Sequence, residues 1–246
     1  MATWIVGDPH GCALELETLL GRLQLGPDDQ FLVVGDLFHR GPDPAGVMDL
    51  LRAAGAKFIL GNHELRILER FHLAPKRADA SDRPEHRSVF PHLAERDLAG
   101  DGGTPCLVPE ERRAEVVEFL QGHSGYFLES KQLPGAGTTP DGRGWCAVHA
   151  GMIQGQAPGD TDPEHLVSVR RLPTRGRPYW YEVYTGPSLI LFGHTPSKIP
   201  RARRVQGRLV ALGLDTGCVY GGSLTAYSPE LDEYCQVAAQ SAYASK

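Results

Sequence analysis

Hydrophobic residues of this chain are grouped in short β-branched or apolar runs, and glycine and polar residues follow each run directly. Runs of this length and composition are typical of buried strands. The predicted strands span residues 3–6, 31–34, 58–60, 145–148, 188–192 and 209–214.

Two helices are predicted between the first three strands. Leucines recur at three- and four-residue spacing after the first strand, which is the pattern of one buried helix face; they are Leu16, Leu19, Leu20 and Leu23. A second helix is expected to begin at Pro44, with Asp43 as its cap, and to stop at Gly55. Strands and helices therefore alternate in two βαβ units, which predicts an α/β fold.

The stretch 66–144 lacks this order, because helical patches such as 110–121 are set among proline, glycine and mixed charge. We interpret it as a partly helical insertion. The length of the whole chain suits one domain of this class, so a single domain over 1–246 is expected.

Composition excludes several classes of protein. A chain of 246 residues with 41% hydrophobic and 22% charged residues can bury a core and is not of the disordered type. No apolar run approaches the roughly 18 residues of a membrane span, so no membrane association and a cytoplasmic location are expected. Five cysteines without a CxxC pair suggest neither a disulfide framework nor a thiolate zinc site. The net charge of -5 predicts no stable complex with nucleic acid.

Polar side chains suited to metal binding or catalysis follow each of the six predicted strands. Because the carboxyl ends of parallel strands open onto one crevice, these side chains are expected to converge. Glycine beside each of them allows sharp turns and close approach of a ligand. The candidate metal ligands are Asp8, His10, Asp36, Asn62, His149 and His194.

This donor set indicates two divalent ions rather than one. Carboxylate, imidazole and amide donors together suit Mn²⁺, Fe²⁺ or Zn²⁺ better than Ca²⁺ or a structural zinc ion. Six ligands exceed what one catalytic ion can use, and Asp36 is the natural shared ligand. Two such ions about 4 Å apart repel by roughly 17 kcal/mol at an effective dielectric of 20, so anionic bridging is required. Mn²⁺ is the expected metal, with Fe, Zn or Mg as alternatives.

The residues quoted so far belong to the blocks GDPHG, GDLFHRGPDP, GNHE, VHAG, FGHTP and LDTGCVYGGSLTA. In this order they resemble the calcineurin-like metallophosphoesterases, in particular the bacterial branch of phosphoprotein phosphatases and bis(5'-nucleosyl)-tetraphosphatases. The resemblance covers residues 5–64 and 145–227. It implies an α/β four-layer sandwich, in which two mixed β-sheets are flanked by helices.

The resemblance also implies roles for individual residues. One ion would be held by Asp8, His10 and Asp36, and the other by Asp36, Asn62, His149 and His194. His63 would protonate the leaving oxygen and Arg40 would grip the phosphate, while Asp36 bridges the ions. A metal-bridging hydroxide would attack phosphorus directly, without a covalent phosphoenzyme.

His39 departs from the family pattern, in which the residue before the phosphate-binding arginine is usually an aspartate paired with the catalytic histidine. An imidazole cannot favour the protonated form of His63 in that way. We expect a weaker acid at neutral pH, and either an acid-shifted optimum or a substrate whose leaving group needs little protonation, such as a phosphoanhydride.

Substrate contacts are predicted in the C-terminal third. Between residues 165 and 210 nine basic residues face a single acidic one, Glu182, which indicates an anionic partner. Arg175 is the expected second phosphate arginine, with Arg177 next, and Asp215 is expected to line the site with Arg40 and Asn62. The aromatic residues at 179–181 and 184 could stack on a base or pack against the insertion.

The expected activity is hydrolysis of a dinucleoside polyphosphate of the diadenosine tetraphosphate type, a small nucleotide-bearing substrate. Alternatives are a Ser/Thr-type protein phosphatase, an RNA-end phosphatase and, from another class, a catalytically silent module that binds phosphorylated partners. The oligomeric state stays open.

Overall fold

A computed structural model of the chain describes residues 1–70, 73 and 108–245. The strands are β1 (Thr3–Val6), β2 (Gln30–Val33), β3 (Lys57–Phe58), β4 (Phe127–Glu129), β5 (Trp145–Val148), β6 (Leu189–Phe192), β7 (Arg201–Val205), β8 (Arg208–Gly213), β9 (Ser223–Ser228) and β10 (Glu233–Ala238). The helices are α1 (Ala13–Leu23), α2 (Pro44–Ala53), α3 (Asn62–Arg70), α4 (Arg113–Gln121), α5 (Pro163–Ser168) and α6 (Trp180–Val183).

The strands form two five-stranded mixed sheets, as expected for this fold class. The first sheet has the order β10-β9-β1-β2-β3, with β1, β2 and β3 parallel, β9 antiparallel to β1, and β10 antiparallel to β9. The second has the order β4-β5-β6-β8-β7, with β5, β6 and β8 parallel and antiparallel strands at both edges. Each sheet therefore contains three adjacent parallel strands, whose carboxyl ends lie on the same side of the sheet.

Strand alternation divides the core into layers. In β1, Val6 faces a helix-side cluster that includes the buried face of α1, while its neighbour Ile5 faces the opposite way. Ile5 packs in a shared cluster with Leu191 of β6 and Leu212 of β8, so the two sheets lie face to face. A third cluster covers the outer face of the second sheet with residues of α5 and α6. Helices, two sheets and helices thus form the predicted four layers.

The predicted βαβ units are confirmed. Strands β1 and β5 have the predicted bounds, and the other four predicted strands shift by one or two residues. Pro44 starts α2, and the Asp43 carboxylate accepts a hydrogen bond from Gly46 N at 2.8 Å, as expected of a cap. The helix ends at Ala53, two residues before the positive-φ Gly55.

Four strands were not predicted, namely β4, β7, β9 and β10. Strand β7 has the sequence RARRV, and most residues of β10 are exposed; both are edge strands with solvent on one side, so neither forms an apolar run. Strand β4 lies within the predicted insertion at 66–144 and pairs with β5. The helical patch at 110–121 is a 3-10 turn, Glu110–Arg112, followed by α4. Residues 71, 72 and 74–107 of that insertion lie outside the described residues, so its extent stays a prediction.

The helices in the described part of the chain have neither the length nor the apolar composition that crossing a bilayer requires.

Burial on α1 gives a test of this packing. Leu16 is fully buried in the helix-side cluster, whereas Leu14 on the same helix is 61% exposed. We expect Leu16→Ala to lower the free energy of unfolding by about 2 to 5 kcal/mol, because it leaves a cavity, and Leu14→Ala to change it by less than about 0.5 kcal/mol. Urea denaturation of both variants measures the difference. Equal losses would contradict the assigned face of α1.

Candidate metal centre and active site

The loops after six strands meet at one edge of the double sheet. Strands β1, β2 and β3 of the first sheet and β5, β6 and β8 of the second end there, and each is followed by a candidate ligand or catalytic residue. The predicted convergence is therefore observed. All six predicted metal ligands lie in this region, together with His63, Arg40 and Asp215.

Asp36 lies at the centre of two clusters of possible metal ligands. One cluster combines Asp36 with Asp8 and His10, and the other combines it with His149 and His194; within each, the ligand atoms lie within 4.8 Å of one another. Asp36 Oδ2 is 3.6 Å from His10 Nε2, and Asp36 Oδ1 is 3.3 Å from His149 Nε2. One carboxylate thus reaches both clusters, which is the arrangement that a pair of bridged ions requires.

Asn62 completes the second cluster. Its Oδ1 is 3.1 Å from His149 Nε2, and the other ring nitrogen of His149, Nδ1, is 2.8 Å from the carbonyl oxygen of Val34. A proton on Nδ1 that is donated to this carbonyl leaves the Nε2 lone pair directed at the cluster. This is the common way in which a backbone group orients a metal-binding histidine.

Glu64 fixes the backbone on which Asp36 stands. Its Oε2 accepts hydrogen bonds from Asp36 N at 2.7 Å and Gly61 N at 3.1 Å, and its Oε1 accepts one from Leu37 N at 2.9 Å. These bonds hold Asp36 at a φ of 53°, a left-handed conformation that is unfavourable for residues other than glycine. Such strain persists only where surrounding contacts enforce it, and it is common at functional sites.

The same left-handed backbone occurs at other site residues, namely His10, Arg40 and His194. Some glycines of the same loops have no room for a side chain. A Cβ on Gly193 would overlap Asp8 Oδ1, and one on Gly61 would lie 2.5 Å from Asp36 Oδ1. The glycines that follow these strands are therefore needed for close approach of backbone and ligand.

Buried carboxylates accumulate here without enough positive charge to balance them. Burial raises the pKa of Asp36 to about 6 and that of Asp215 to about 6. Burial and then the charge of Asp36 raise the pKa of Glu64 to about 7. Burial, Asp215 and Asp36 raise the pKa of Asp8 well above its usual value. The site thus favours any added cation.

The imidazoles show the opposite shift. Burial lowers the pKa of His149 to about 4, and burial lowers the pKa values of His10 and His194 well below their usual range. Neutral imidazole is the form that binds metals. In addition, Asp8 Oδ1 and His10 Nδ1 are buried without a hydrogen-bond partner. Repelling carboxylates, neutral imidazoles and unsatisfied donor atoms together fit a pair of divalent ions.

His39 lies against His63. The two ring centroids are 4.5 Å apart, and both side chains are buried. Burial and then His39 lower the pKa of His63 well below its usual value. His63 Nε2 is also 3.8 Å from Asp36 Oδ2, which places it beside the cluster. The contact on which the His39 hypothesis depends is therefore present.

An opening of about 300 Å³ leads to the cluster. Its lining consists of Arg40, Asn62, His63, Arg66, Ser168, Arg170 and His194. Arg170 donates to the carbonyl oxygen of His194 at 3.0 Å, which fixes it at the rim. Arg175, the expected phosphate ligand, is exposed in a turn at 173–176 and does not line this opening. The sequence pointed to the basic segment between residues 165 and 210, but it could not indicate which arginine of that segment lines the opening.

The aromatic residues of the same segment are packed rather than open to a base. Trp180, Tyr181 and Tyr184 are buried in the cluster beneath the second sheet, where Tyr181 stacks on Phe192 with centroids 5.3 Å apart. Tyr179 has the Arg171 guanidinium 3.8 Å from its ring centroid. The packing alternative is thus the correct one; the partners are the second sheet and, from the predicted insertion, Tyr126 and Phe127.

Comparison with known proteins agrees with this geometry. The sequence profile of the family described as calcineurin-like phosphoesterase matches residues 1–198. The chain belongs to this family. Members use divalent metal ions in a dinuclear site, and the chain is a hydrolase that acts on phosphate esters or anhydrides.

Two relatives cover most of the phosphoesterase chain. A symmetrical bis(5'-nucleosyl)-tetraphosphatase of Vibrio parahaemolyticus is 33% identical over 92% of this chain and 94% of its own. An asymmetrical one, PrpE of Geobacillus thermodenitrificans, is 32% identical over 90% of this chain and 88% of its own. A crystal structure described provisionally as a diadenosine tetraphosphatase is 25% identical with a TM-score of 0.67, and covers 96% of this chain and 93% of that chain.

The His39 contact leads to a prediction. We expect His39→Asp to raise the pKa of His63, because a carboxylate favours the imidazolium form, and to move the rate optimum toward higher pH. Hydrolysis of alkyl phosphomonoesters should increase relative to that of anhydrides, since the former need a stronger acid. His39→Asn supplies a neutral control. An unchanged pH profile together with an unchanged ester-to-anhydride ratio in His39→Asp would contradict the hypothesis.

Proposed function

We propose that this phosphoesterase hydrolyses dinucleoside polyphosphates of the diadenosine tetraphosphate type. The observation that carries the proposal is the set of three arginines, Arg40, Arg66 and Arg170, around one opening beside the metal-ligand cluster. A single phosphoryl group offers three oxygens, and part of these would face the metal ions. Three guanidinium groups suit a chain of several phosphates better.

The charge distribution supports this substrate class. All three arginines lie close enough to Asp36 to lower its pKa against the effect of burial. The positive groups are thus at the rim and the carboxylates at the floor. A polyanionic substrate would be attracted at the rim by fork-shaped donors, while the reacting phosphate would reach the floor only where cations offset the carboxylates.

Roles for the site residues follow from their positions. Asp8, His10 and Asp36 would hold one ion, and Asp36, Asn62, His149 and His194 would hold the other. When bound, the ions supply Lewis-acid polarisation of phosphate oxygens and a lowered pKa for water. Arg40, whose Nη1 is 3.1 Å from His10 Nε2, is placed to orient the reacting phosphate. His63 is placed to hand a proton to the leaving oxygen, and Asp215 would border the substrate.

Anhydride cleavage fits His63 as it stands. A histidine whose pKa is lowered by burial and by His39 is mostly neutral at pH 7, so it is a poor proton reservoir. A nucleoside phosphate leaves as a stable anion and needs little protonation, unlike a serine or threonine alkoxide. The relatives named bis(5'-nucleosyl)-tetraphosphatase support the same substrate class. A silent binding module has no need for a complete ligand set, and this chain retains all six residues.

A substrate panel tests the proposal. Diadenosine tetraphosphate, a phosphothreonine peptide, a 3'-phosphorylated RNA oligonucleotide and p-nitrophenyl phosphate would be compared with added Mn²⁺, Fe²⁺, Zn²⁺ or Mg²⁺ and after chelation. We expect the dinucleotide to have the highest kcat/KM, Mn²⁺ to support the highest rate, and chelation to abolish turnover. Products distinguish symmetrical cleavage, which yields ADP alone, from asymmetrical cleavage to ATP and AMP. A preference for the phosphopeptide of more than about tenfold would refute the proposal.

Arg170 and Arg175 form a matched pair for a second test. Arg170→Ala removes a charge-assisted contact from the opening, so kcat/KM for diadenosine tetraphosphate should fall by roughly 10- to 100-fold. Arg175→Ala changes an exposed turn and should leave kcat/KM within about twofold of wild type. Steady-state kinetics on both variants decide between them. A larger loss in Arg175→Ala would restore Arg175 as the phosphate ligand.

A further inference from the structure

A second cluster of metal-binding side chains lies apart from the catalytic centre. Cys12, Glu15 and Cys218 place one ligand atom each within 4.8 Å of the others. All three are buried, with exposed fractions of 0%, 1% and 1%. The phosphoesterase site uses none of them.

Glu15 has an unused ligand atom. Its Oε1 accepts hydrogen bonds from Gln240 N at 2.8 Å and from the Tyr243 hydroxyl at 2.9 Å. Its Oε2 is buried and has no hydrogen-bond partner. Burying a carboxylate oxygen without a hydrogen-bond partner costs free energy, which a bound cation can offset.

We propose that Cys12, Glu15 and Cys218 bind a thiophilic divalent ion of the zinc group, separately from the dinuclear centre. Two sulfurs on a tetrahedral zinc ion are about 3.8 Å apart, so the observed spacing needs only small side-chain movements. Thiolate donors favour such ions over Mn²⁺ and Mg²⁺, whereas the nitrogen and oxygen donors of the catalytic site accept all of them. Binding releases the two thiol protons and leaves the Glu15 carboxylate as the third ligand.

The ligands come from two segments that are distant in sequence. Cys12 precedes α1 and follows His10 by two residues, and Cys218 follows Asp215 by three. The C-terminal segment covers the cluster, because Tyr243 N and Ala244 N both donate to the carbonyl oxygen of Val219, next to Cys218. A bound ion would therefore hold the loops after β1 and β8 together, directly behind the catalytic residues that those loops carry.

Cadmium is the probe for this site, since sulfur ligation gives Cd²⁺ a strong ultraviolet charge-transfer band that nitrogen and oxygen ligands do not give. Reduced, chelator-treated protein would be titrated with Cd²⁺ and followed by absorbance. We expect the band in wild type and its loss in Cys12→Ser and in Cys218→Ser. In Glu15→Gln we expect the affinity for Cd²⁺ to fall by about tenfold or more. Cys146→Ser is the matched control, because Cys146 is equally buried but lies in β5.

Two further measurements make the outcome decisive. X-ray absorption at the cadmium edge of the wild-type protein counts sulfur ligands without any substitution, and two are expected. Circular dichroism confirms that each variant is folded. Absence of the band in wild type, its persistence in either cysteine variant, or its loss in Cys146→Ser would overturn the proposal. The readout does not use phosphoesterase activity, so it is independent of the proposed substrate.

Discussion

Burial of four carboxyl groups beside one another is the constraint on which the rest of this structure depends. Asp8, Asp36, Asp215 and Glu64 are packed together out of water, and each has a raised pKa. The fold enforces this arrangement through the left-handed backbone of Asp36 and its bonds to Glu64. Because the carboxylates cannot separate, added cations are what offsets their charge. The backbone of the loops therefore holds the carboxylates in an arrangement that favours bound cations.

Packing far from the chemistry sets the distances within the site. Each sheet supplies part of the ligand set, with Asp36 on the first sheet and His149 on the second. Their side chains meet because an apolar layer that includes Ile5 and Leu191 holds the sheets face to face. A change in the packing of that layer would alter both ligand clusters, since the Asp36 carboxylate belongs to both.

Substrate choice depends on a different set of residues from metal binding. The metal-ligand cluster and Arg40 match the family pattern, whereas His39 departs from it, and Arg66 and Arg170 lie beside Arg40 at the opening. His39 weakens an acid, and Arg66 and Arg170 add positive charge at the rim. Both changes favour a polyanionic substrate with a good leaving group over a phosphorylated hydroxyl side chain.

The sequence by itself determined the α/β class, the parallel strands and the polar side chains that follow them, because strand hydrophobicity and residue chemistry are local properties. It could not identify edge strands such as β7, whose arginines face solvent on one side and interrupt the apolar pattern. Nor could it indicate that Arg170 rather than Arg175 lines the opening, since both are arginines in one basic segment. Only the tertiary structure decided these points. Proximity to the cluster arises from how the sheets pack and how the loop after α5 turns, and contacts between residues so far apart in sequence leave no periodic signal in the chain.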